Sequence, residues 1–109
     1  MSSTDDRRDG NMKLELLRDL RAFRDERNWE QFHTPRNLAE ALSVEAGELL
    51  KCFLWDGAFV KPRHDVASEL ADVLIYALNM CLTLDVDPER IIRDKLTVNA
   101  RKYPVGKVS

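Results

Sequence analysis

Residues 63–84, RHDVASELADVLIYALNMCLTL, predict one long helix and thereby decide the fold class. The segment is rich in Ala, Leu and Val, contains neither Gly nor Pro, and lacks the alternation of apolar and polar residues that indicates a strand. Glu69 lies beside its apolar face, and Asp72 and Tyr76 follow on the same flank. At about 100° per residue, the residues that share that face are Val66, Leu70, Val73, Ala77 and Leu84.

Two helices are predicted before this one. Apolar residues at helical spacing predict a first helix over about 12–27. Thr34 can cap free N–H groups and Pro35 fits a first turn, so the second helix begins there. The apolar pattern of this second helix runs to about Trp55, where the turn signal Asp56-Gly57 ends it.

A fourth helix is predicted after the long one. Asp87-Pro88 repeats the signal of a capping residue followed by proline, and the helix runs from there to about Lys102, where Pro104 and Gly106 terminate it. The sequence therefore predicts an all-α protein, in the form of a four-helix bundle.

The composition indicates one globular domain. At 109 residues the chain is long enough for one modest core. We predict a helical domain over 12–104, a disordered N-terminal tail over 1–11 and a C-terminal tail over 105–109. The formal net charge is -2, so the chain has no excess of Lys and Arg that could neutralise a phosphate backbone. We therefore expect no nucleic acid polymer as a partner.

The cysteines and the N-terminus indicate the compartment. Cys52 and Cys81 lie in apolar helical segments and are expected to be reduced thiols in the core. Residues 1–11 lack the apolar run of a secretory signal, and no other segment reaches transmembrane length without charge. We therefore expect a cytoplasmic protein that makes no membrane contact.

Two acidic pairs interrupt the apolar faces of the second and third helices, in EAGE over 45–48 and ELAD over 69–72. The i,i+3 spacing places the two carboxylates of each helix side by side, and antiparallel packing brings all four together. Four adjacent carboxylates raise one another's pKa unless a cation binds. Since neither pair includes His or Cys, the oxygen ligands indicate Mg²⁺ or Mn²⁺ rather than zinc.

Two other interpretations of the acidic pairs stay open on spacing alone. A glutamate on a helix is commonly a solvated surface charge or one half of an ion pair. A carboxylate-bridged di-iron bundle is a second alternative, but that design uses Glu-x-x-His pairs and neither pair here has His at its fourth position. The small residues Ala46, Gly47 and Ala71 beside the carboxylates favour the Mg²⁺ or Mn²⁺ site.

Five stretches of the chain form a wider pattern: RNWEQFHTPRNL over 27–38, EAGEL over 45–49, FLW over 53–55, ELADVLIY over 69–76 and KLTVNARKYP over 95–104. This pattern closely resembles that of the MazG-like all-α nucleoside triphosphate pyrophosphohydrolases, and within that superfamily it is most similar to the dCTP pyrophosphatase branch. The resemblance covers nearly everything from Leu14 to Pro104. It implies the MazG-like type of helical bundle.

The resemblance also implies a reaction. The family cleaves a nucleoside triphosphate, here dCTP or a modified pyrimidine dNTP, into the monophosphate and pyrophosphate with Mg²⁺, for which Mn²⁺ can substitute. Glu45, Glu48, Glu69 and Asp72 match the family's metal ligands one by one, and Glu48 is the candidate to orient or deprotonate the attacking water. The family further implies a homo-oligomer, either a dimer or a dimer of dimers, with sites near subunit interfaces.

Substrate contacts follow from the same resemblance. Flat rings can sandwich a base, and His33 or Gln31 can hydrogen-bond to the sugar or to the edge of the base. The residues implied to line the base and sugar pocket are Trp29, Glu30, Gln31, Phe32, His33, Trp55 and Tyr76. Lys95, Asn99, Lys102 and Tyr103 belong to a KxxxNxRKYP arrangement whose first three members can meet the triphosphate tail, although Lys102 equally suits a basic helix C-terminus.

One residue departs from the pattern. The animal dCTP enzymes carry a His nine residues before the Trp of the aromatic segment, and this chain has Leu20 there. The departure weakens the inference to dCTP but not the metal site. Two alternatives therefore stay open: the same fold acting on dUTP or a damaged nucleotide, and a non-catalytic helical module that binds a protein through Trp29, Phe32 and Trp55.

Overall fold

The computed structural model describes residues 15–106, and this part of the chain is helical with no regular strand. The helices are α1 (15–26 of the described residues), α2 (Pro35–Leu50), α3 (Arg63–Leu84) and α4 (Pro88–Lys102). The all-α prediction is confirmed, and α3 and α4 begin and end where the sequence places them. The predicted tail over 1–11, the first residues of the predicted domain and residues 107–109 lie outside the described residues.

The connection between α1 and α2 is an ordered aromatic turn. Asn28 adopts a left-handed conformation with φ 55°, which asparagine tolerates better than most residues, and this ends α1. A single 3₁₀ turn follows over Trp29–Phe32, and the His33 amide donates to the Glu30 carbonyl at 3.1 Å. Thr34 then caps α2, because its Oγ1 accepts a hydrogen bond from the Asn37 amide at 3.1 Å.

The prediction that α2 runs to Trp55 is wrong, because the helix ends at Leu50. The Phe53 amide donates to the Leu50 carbonyl, three residues back, which tightens the last turn. The chain then reverses at Gly57, whose φ of 88° suits a residue without a Cβ. The rings of Phe53 and Phe59 meet edge to face at 4.9 Å across an isolated β-bridge. The apolar residues after Leu50 therefore stabilise a loop and not another helical turn.

A short turn joins α3 to α4. Asp85 adopts a left-handed conformation with φ 56°, and the Val86 amide donates to the Cys81 carbonyl at 3.0 Å, which closes the C-terminus of α3 in a Schellman-type turn. Asp87 begins α4 as predicted, since its Oδ1 accepts from the Glu89 amide at 3.1 Å and Pro88 occupies the first turn.

The core of the described chain is thin. α2 and α3 pack against each other, and Leu38, Cys52 and Cys81 are buried. Both cysteines are free, as predicted. Leu70 and Leu84, which the sequence assigned to the apolar face of α3, are 45% and 52% exposed. The radius of gyration is 17.3 Å, against about 13 Å for a compact domain of 100 residues, so the four helices do not close into a compact bundle within one chain.

α3 is long and apolar enough to cross a membrane by length and composition, in contrast to the expectation from the sequence. A core helix of a soluble protein meets the same criterion, and a single helix of this kind is weak evidence for a membrane span. α3 also carries Glu69 and Asp72 near its middle, where charge is costly in a bilayer. The absence of membrane contact stays a prediction.

The Thr34 cap gives a test of how the aromatic turn is held. Thr34→Ala removes the acceptor for the Asn37 amide and should destabilise the protein by about 1 kcal/mol. The melting temperature should fall by about 4–8 °C in a thermal unfolding measurement. Thr34→Ser keeps the hydroxyl and should melt within about a degree of the wild type. Equal melting of the Ala variant and the wild type would contradict the assigned cap.

Candidate active site

Three carboxylates from α2 and α3 converge at the interface between these helices. Glu45, Glu69 and Asp72 each offer one oxygen atom, and these three oxygens lie within 4.8 Å of one another. All three side chains are partly buried. We call this group the carboxylate cluster. It brings together three of the four metal ligands that the family pattern implies.

Glu48, the fourth predicted ligand, lies outside the carboxylate cluster in this structure. It is one turn after Glu45 on α2, and its Oε1 accepts a hydrogen bond from Lys51 Nζ at 3.2 Å. Its side chain is 44% exposed. The ion pair with Lys51 is weak because both groups face solvent, so it does little to fix the Glu48 carboxylate. The predicted role of Glu48 at the metal stays a prediction.

The electrostatics of the cluster favour a cation. Partial burial raises the pKa of Glu45, and the nearby carboxylates of Asp72, Glu69 and Glu48 raise it further, in that order. A divalent cation would relieve this repulsion. The donor set consists of carboxylate oxygens, which hard cations such as Mg²⁺ and Mn²⁺ prefer, and one ion can contact all three after small side-chain rotations. The residues present therefore fit the implied metal.

A cavity of about 280 Å³ opens next to the carboxylate cluster. Asp72 belongs to both the cluster and the cavity wall, so the two features form one continuous site. Trp29, His33 and Tyr76, which the sequence predicted as nucleoside contacts, all line this cavity. The remaining lining residues are Leu20, Phe23, Arg24, Ile75 and Asn79.

A chain of hydrogen bonds fixes the aromatic turn against α3. Arg24 Nη1 donates to Thr83 Oγ1 at 3.5 Å, and Thr83 Oγ1 donates to the His33 carbonyl at 3.3 Å. Trp29 packs edge to face on Phe23 with ring centroids 5.5 Å apart. These contacts join α1, the aromatic turn and α3, and they hold the rings of the cavity wall in place.

The charged form of the cavity histidine is disfavoured. Burial lowers the pKa of His33, and the positive charge of Arg24 lowers it further. A neutral imidazole offers one donor and one acceptor, so His33 suits hydrogen bonding to an uncharged ligand group.

Sequence reasoning missed Arg24 and Asn79, which are 3% and 6% exposed. Arg24 follows Leu17 and Leu20 at i,i+3,i+7 spacing, which puts a charged residue on the apolar face of α1. Asn79 interrupts the apolar run of α3. Polar residues at such positions are unusual, and that signal could have identified both.

Several predicted pocket residues do not line the cavity. Trp55 is fully exposed in the loop after α2, and Phe32 is 61% exposed. Glu30 and Gln31 line a separate surface depression with Asp25, and Gln31 Nε2 donates to the Asn28 carbonyl at 3.1 Å. These four assignments stay predictions, since only the arrangement within one chain is described.

The predicted triphosphate contacts lie on α4 or at its end. Lys95 and Asn99 belong to α4, Lys102 is its last residue, and Tyr103 follows with 66% of its surface exposed. Lys102 Nζ lies 5.5 Å from the centre of the Tyr103 ring. None of the four lines the cavity described above. The predicted role of Lys95, Asn99 and Lys102 in binding the triphosphate, and that of Tyr103 in binding substrate, stay predictions.

Comparison with known proteins gives consistent matches. The model of the MazG-like family matches residues 41–109. The chain is 42% identical over 101 residues to dCTP pyrophosphatase 1 of Rattus norvegicus and 41% identical over 100 residues to that of Homo sapiens, and each alignment covers 84% of this chain. It spans 59% of the length of these two relatives. A solved structure of a pyrophosphatase from Archaeoglobus fulgidus is 40% identical with a TM-score of 0.74, covering 83% of this chain and 90% of that chain.

Replacement of Glu45 by Gln tests the repulsion within the carboxylate cluster. In EDTA, Glu45→Gln should melt at a higher temperature than the wild type, because a neutral amide does not repel Glu69 and Asp72. Mg²⁺ should raise the melting temperature of the wild type and have little effect on the variant. Glu40→Gln, at an exposed position of α2, is the matched control and should behave like the wild type.

The pH dependence of melting in EDTA follows from the same shift. The folded state holds the Glu45 proton more tightly than the unfolded chain does, because the pKa of Glu45 is raised on folding. The wild type should therefore lose this contribution to stability as the pH rises through the folded-state pKa of Glu45, and Glu45→Gln should not. Identical pH profiles for the two proteins would contradict the assigned repulsion.

Proposed function

This chain belongs to the MazG-like family, and on that premise we propose that it is a divalent-metal-dependent nucleoside triphosphate pyrophosphohydrolase. The proposal is carried by one observation, which is that Asp72 joins the carboxylate cluster to a cavity lined by aromatic rings. A nucleoside triphosphate has two parts that correspond to these two features: an anionic triphosphate tail and a flat base. The cluster takes the tail through metal ions, and the cavity takes the nucleoside.

The carboxylate cluster binds the metal. Glu45 of α2 and Glu69 and Asp72 of α3 would hold it, and Asp72 also lines the cavity. When bound, Mg²⁺, or Mn²⁺ in its place, supplies the positive charge that lets a triphosphate approach carboxylates, and it increases the acidity of a coordinated water.

Glu48 has the second role in this proposal. Its carboxylate is one turn from Glu45, partly exposed and fixed only by a solvent-facing ion pair with Lys51. It is therefore free to rotate toward the cluster when a cation binds, where it completes the ligand set and orients or deprotonates the attacking water.

The substrate is proposed to be dCTP or a modified pyrimidine dNTP, which the reaction converts to the monophosphate and pyrophosphate. The relatives of this chain in Rattus norvegicus and Homo sapiens are dCTP pyrophosphatases, and this similarity supports the choice. The cavity volume of about 280 Å³ is large enough to hold a nucleobase. Removing such nucleotides would sanitise the nucleotide pool, and we place this activity in the cytoplasm.

We further propose that the protein is a homo-oligomer, a dimer or a dimer of dimers. An apolar groove of about 680 Å³ lies between α1, α3 and α4 and includes Leu16, Leu74 and Ile92, which are 50%, 53% and 57% exposed. A second copy of the chain would bury these residues and compensate for the thin core. The same association is the route by which Trp55 and the basic residues of α4 would reach a cavity.

The decisive experiment is product analysis with a panel of nucleotides. The purified protein with Mg²⁺ should release pyrophosphate and the monophosphate from dCTP or 5-methyl-dCTP, and less from dUTP and the purine dNTPs. Glu69→Gln and Asp72→Asn should reduce the rate by about 100-fold or more, because each removes charge from the metal site. Glu48→Gln should also lose about 100-fold or more.

Glu40→Gln, exposed on α2, is the control for these variants and should keep the wild-type rate. Release of orthophosphate in place of pyrophosphate, or no turnover of any nucleotide, would refute the proposed reaction. Turnover of dUTP in preference to dCTP would keep the reaction and change the substrate. Binding of a partner protein through Trp29, Phe32 and Trp55 without turnover would instead favour the non-catalytic module.

The oligomer is tested by placing a charge in the apolar groove. Ile92→Asp should shift the sedimentation of the protein from an oligomer to a monomer, because the interface would have to bury an unpaired carboxylate. Val98→Asp introduces the same charge at an exposed position of α4 outside the groove and should leave sedimentation unchanged. A wild-type protein that sediments as a monomer at micromolar concentrations would contradict the proposal.

A further inference from the structure

Three polar side chains that line the cavity each carry one buried atom without a hydrogen-bond partner. Among residues 15–106, the buried side-chain atoms without a partner are Arg24 Nε, His33 Nδ1 and Asn79 Oδ1. All three residues line the cavity next to the carboxylate cluster. Buried polar groups in folded proteins are nearly always paired, so three unpaired atoms in one cavity indicate a ligand that pairs with them.

The charge of Arg24 is also poorly compensated. Its guanidinium is nearly fully buried, yet the nearest carboxylates, Asp25 and Glu30, lie at 3.7 and 4.0 Å and are themselves half or more exposed. Its hydrogen bond to Thr83 is long, at 3.5 Å. A buried guanidinium in this environment favours a ligand group rich in acceptor atoms.

The helical spacing of α3 relates these atoms to the phosphate end. Asp72, Tyr76 and Asn79 follow one another at i, i+4 and i+7, so they lie on one side of α3. At about 1.5 Å per residue, Asn79 lies about 10 Å along the helix from Asp72. Asn79 therefore lies away from the metal end of the site, where the base of a bound nucleotide would reach.

Resting on the proposed function, we propose that Arg24, His33 and Asn79 determine base specificity by binding the hydrogen-bonding edge of an amino-bearing pyrimidine. The Arg24 guanidinium donates to a ring acceptor of the base, and Asn79 Oδ1 accepts from its exocyclic amino group. Cytosine offers this combination on one edge, whereas uracil carries a carbonyl in place of the amino group and would face Asn79 Oδ1 with a second acceptor.

His33 is the third residue proposed to bind the hydrogen-bonding edge of the base. Its Nδ1 can act as donor or acceptor according to the tautomer when the imidazole is neutral. The rings of Phe23, Trp29 and Tyr76 flank the same cavity and cover the faces of the base.

Binding of reaction products and their fragments tests the proposal. Isothermal titration of the wild type with Mg²⁺ should show dCMP binding about tenfold or more tightly than dUMP or 2-deoxyribose 5-phosphate, because only dCMP pairs all the buried atoms. Equal affinity of the wild type for dCMP and 2-deoxyribose 5-phosphate would overturn the proposal without any variant. Tighter binding of dUMP than of dCMP would overturn it as well.

Two variants test whether Arg24 and Asn79 determine the preference for dCMP. Arg24→Met and Asn79→Leu keep the approximate side-chain size and should each reduce the preference for dCMP over dUMP by about tenfold, with little change in the affinity for 2-deoxyribose 5-phosphate. Arg21→Met, at an exposed position of α1 away from this cavity, is the matched control and should keep the preference. An unchanged preference in both cavity variants would refute the assignment.

Failure of this inference is distinguishable from failure of the proposed function. If the wild type releases pyrophosphate from dNTPs but shows no base preference in binding, the function stands and the specificity assignment is wrong. If it releases pyrophosphate from none of them, the function fails. Circular dichroism shows whether each variant folds. If a variant does not fold, the relative affinity of the wild type for dCMP and 2-deoxyribose 5-phosphate decides whether the specificity assignment is correct.

Discussion

The repulsion among Glu45, Glu69 and Asp72 is the constraint on which the rest of this structure depends. These carboxylates occupy the interface where α2 and α3 would otherwise bury apolar side chains. The interface between these two helices therefore buries less apolar surface, and the repulsion among the carboxylates lowers its stability until a cation binds. A chain of 109 residues has little other core to compensate, which explains why so much apolar surface on α1, α3 and α4 stays uncovered in the single chain.

The second constraint is the attachment of the aromatic turn. The left-handed Asn28, the Thr34 cap and the hydrogen bond from Thr83 to the His33 carbonyl fix a short segment that has no regular packing of its own. Trp29 and His33 therefore line the cavity in a defined position, next to a carboxylate that comes from α3. The aromatic wall is held by contacts from three segments, whereas the described contact of the Glu48 carboxylate is a solvent-facing ion pair with Lys51.

The sequence predicts the local signals of this fold well and its nonlocal contacts less well. The Thr34 and Asp87 caps locate the starts of α2 and α4 because a cap acts within a few residues. The end of α2 was misplaced because residues 53–55 continue the apolar pattern, while the contact of Phe53 with Phe59 that removes them from the helix depends on the loop. Asp72, Trp29, His33 and Tyr76 were predicted together through a family pattern, whereas Arg24 carries no local signal beyond its place on an apolar face.

The two ends of the site have opposite electrostatic characters, and in the proposed function this difference would orient the substrate. At one end three carboxylates demand positive charge, and at the other a buried guanidinium with distant counter-ions demands acceptor atoms. A nucleotide bound with its base at the carboxylates and its phosphates at Arg24 would leave the metal ions without phosphate oxygens. In the proposed orientation the phosphates would meet the metal, and the base would meet Arg24 and Asn79. Because Asp72 and Asn79 are on the same helix, α3 fixes the distance between the two ends, and a base that pairs with Asn79 leaves its α-phosphate near the metal.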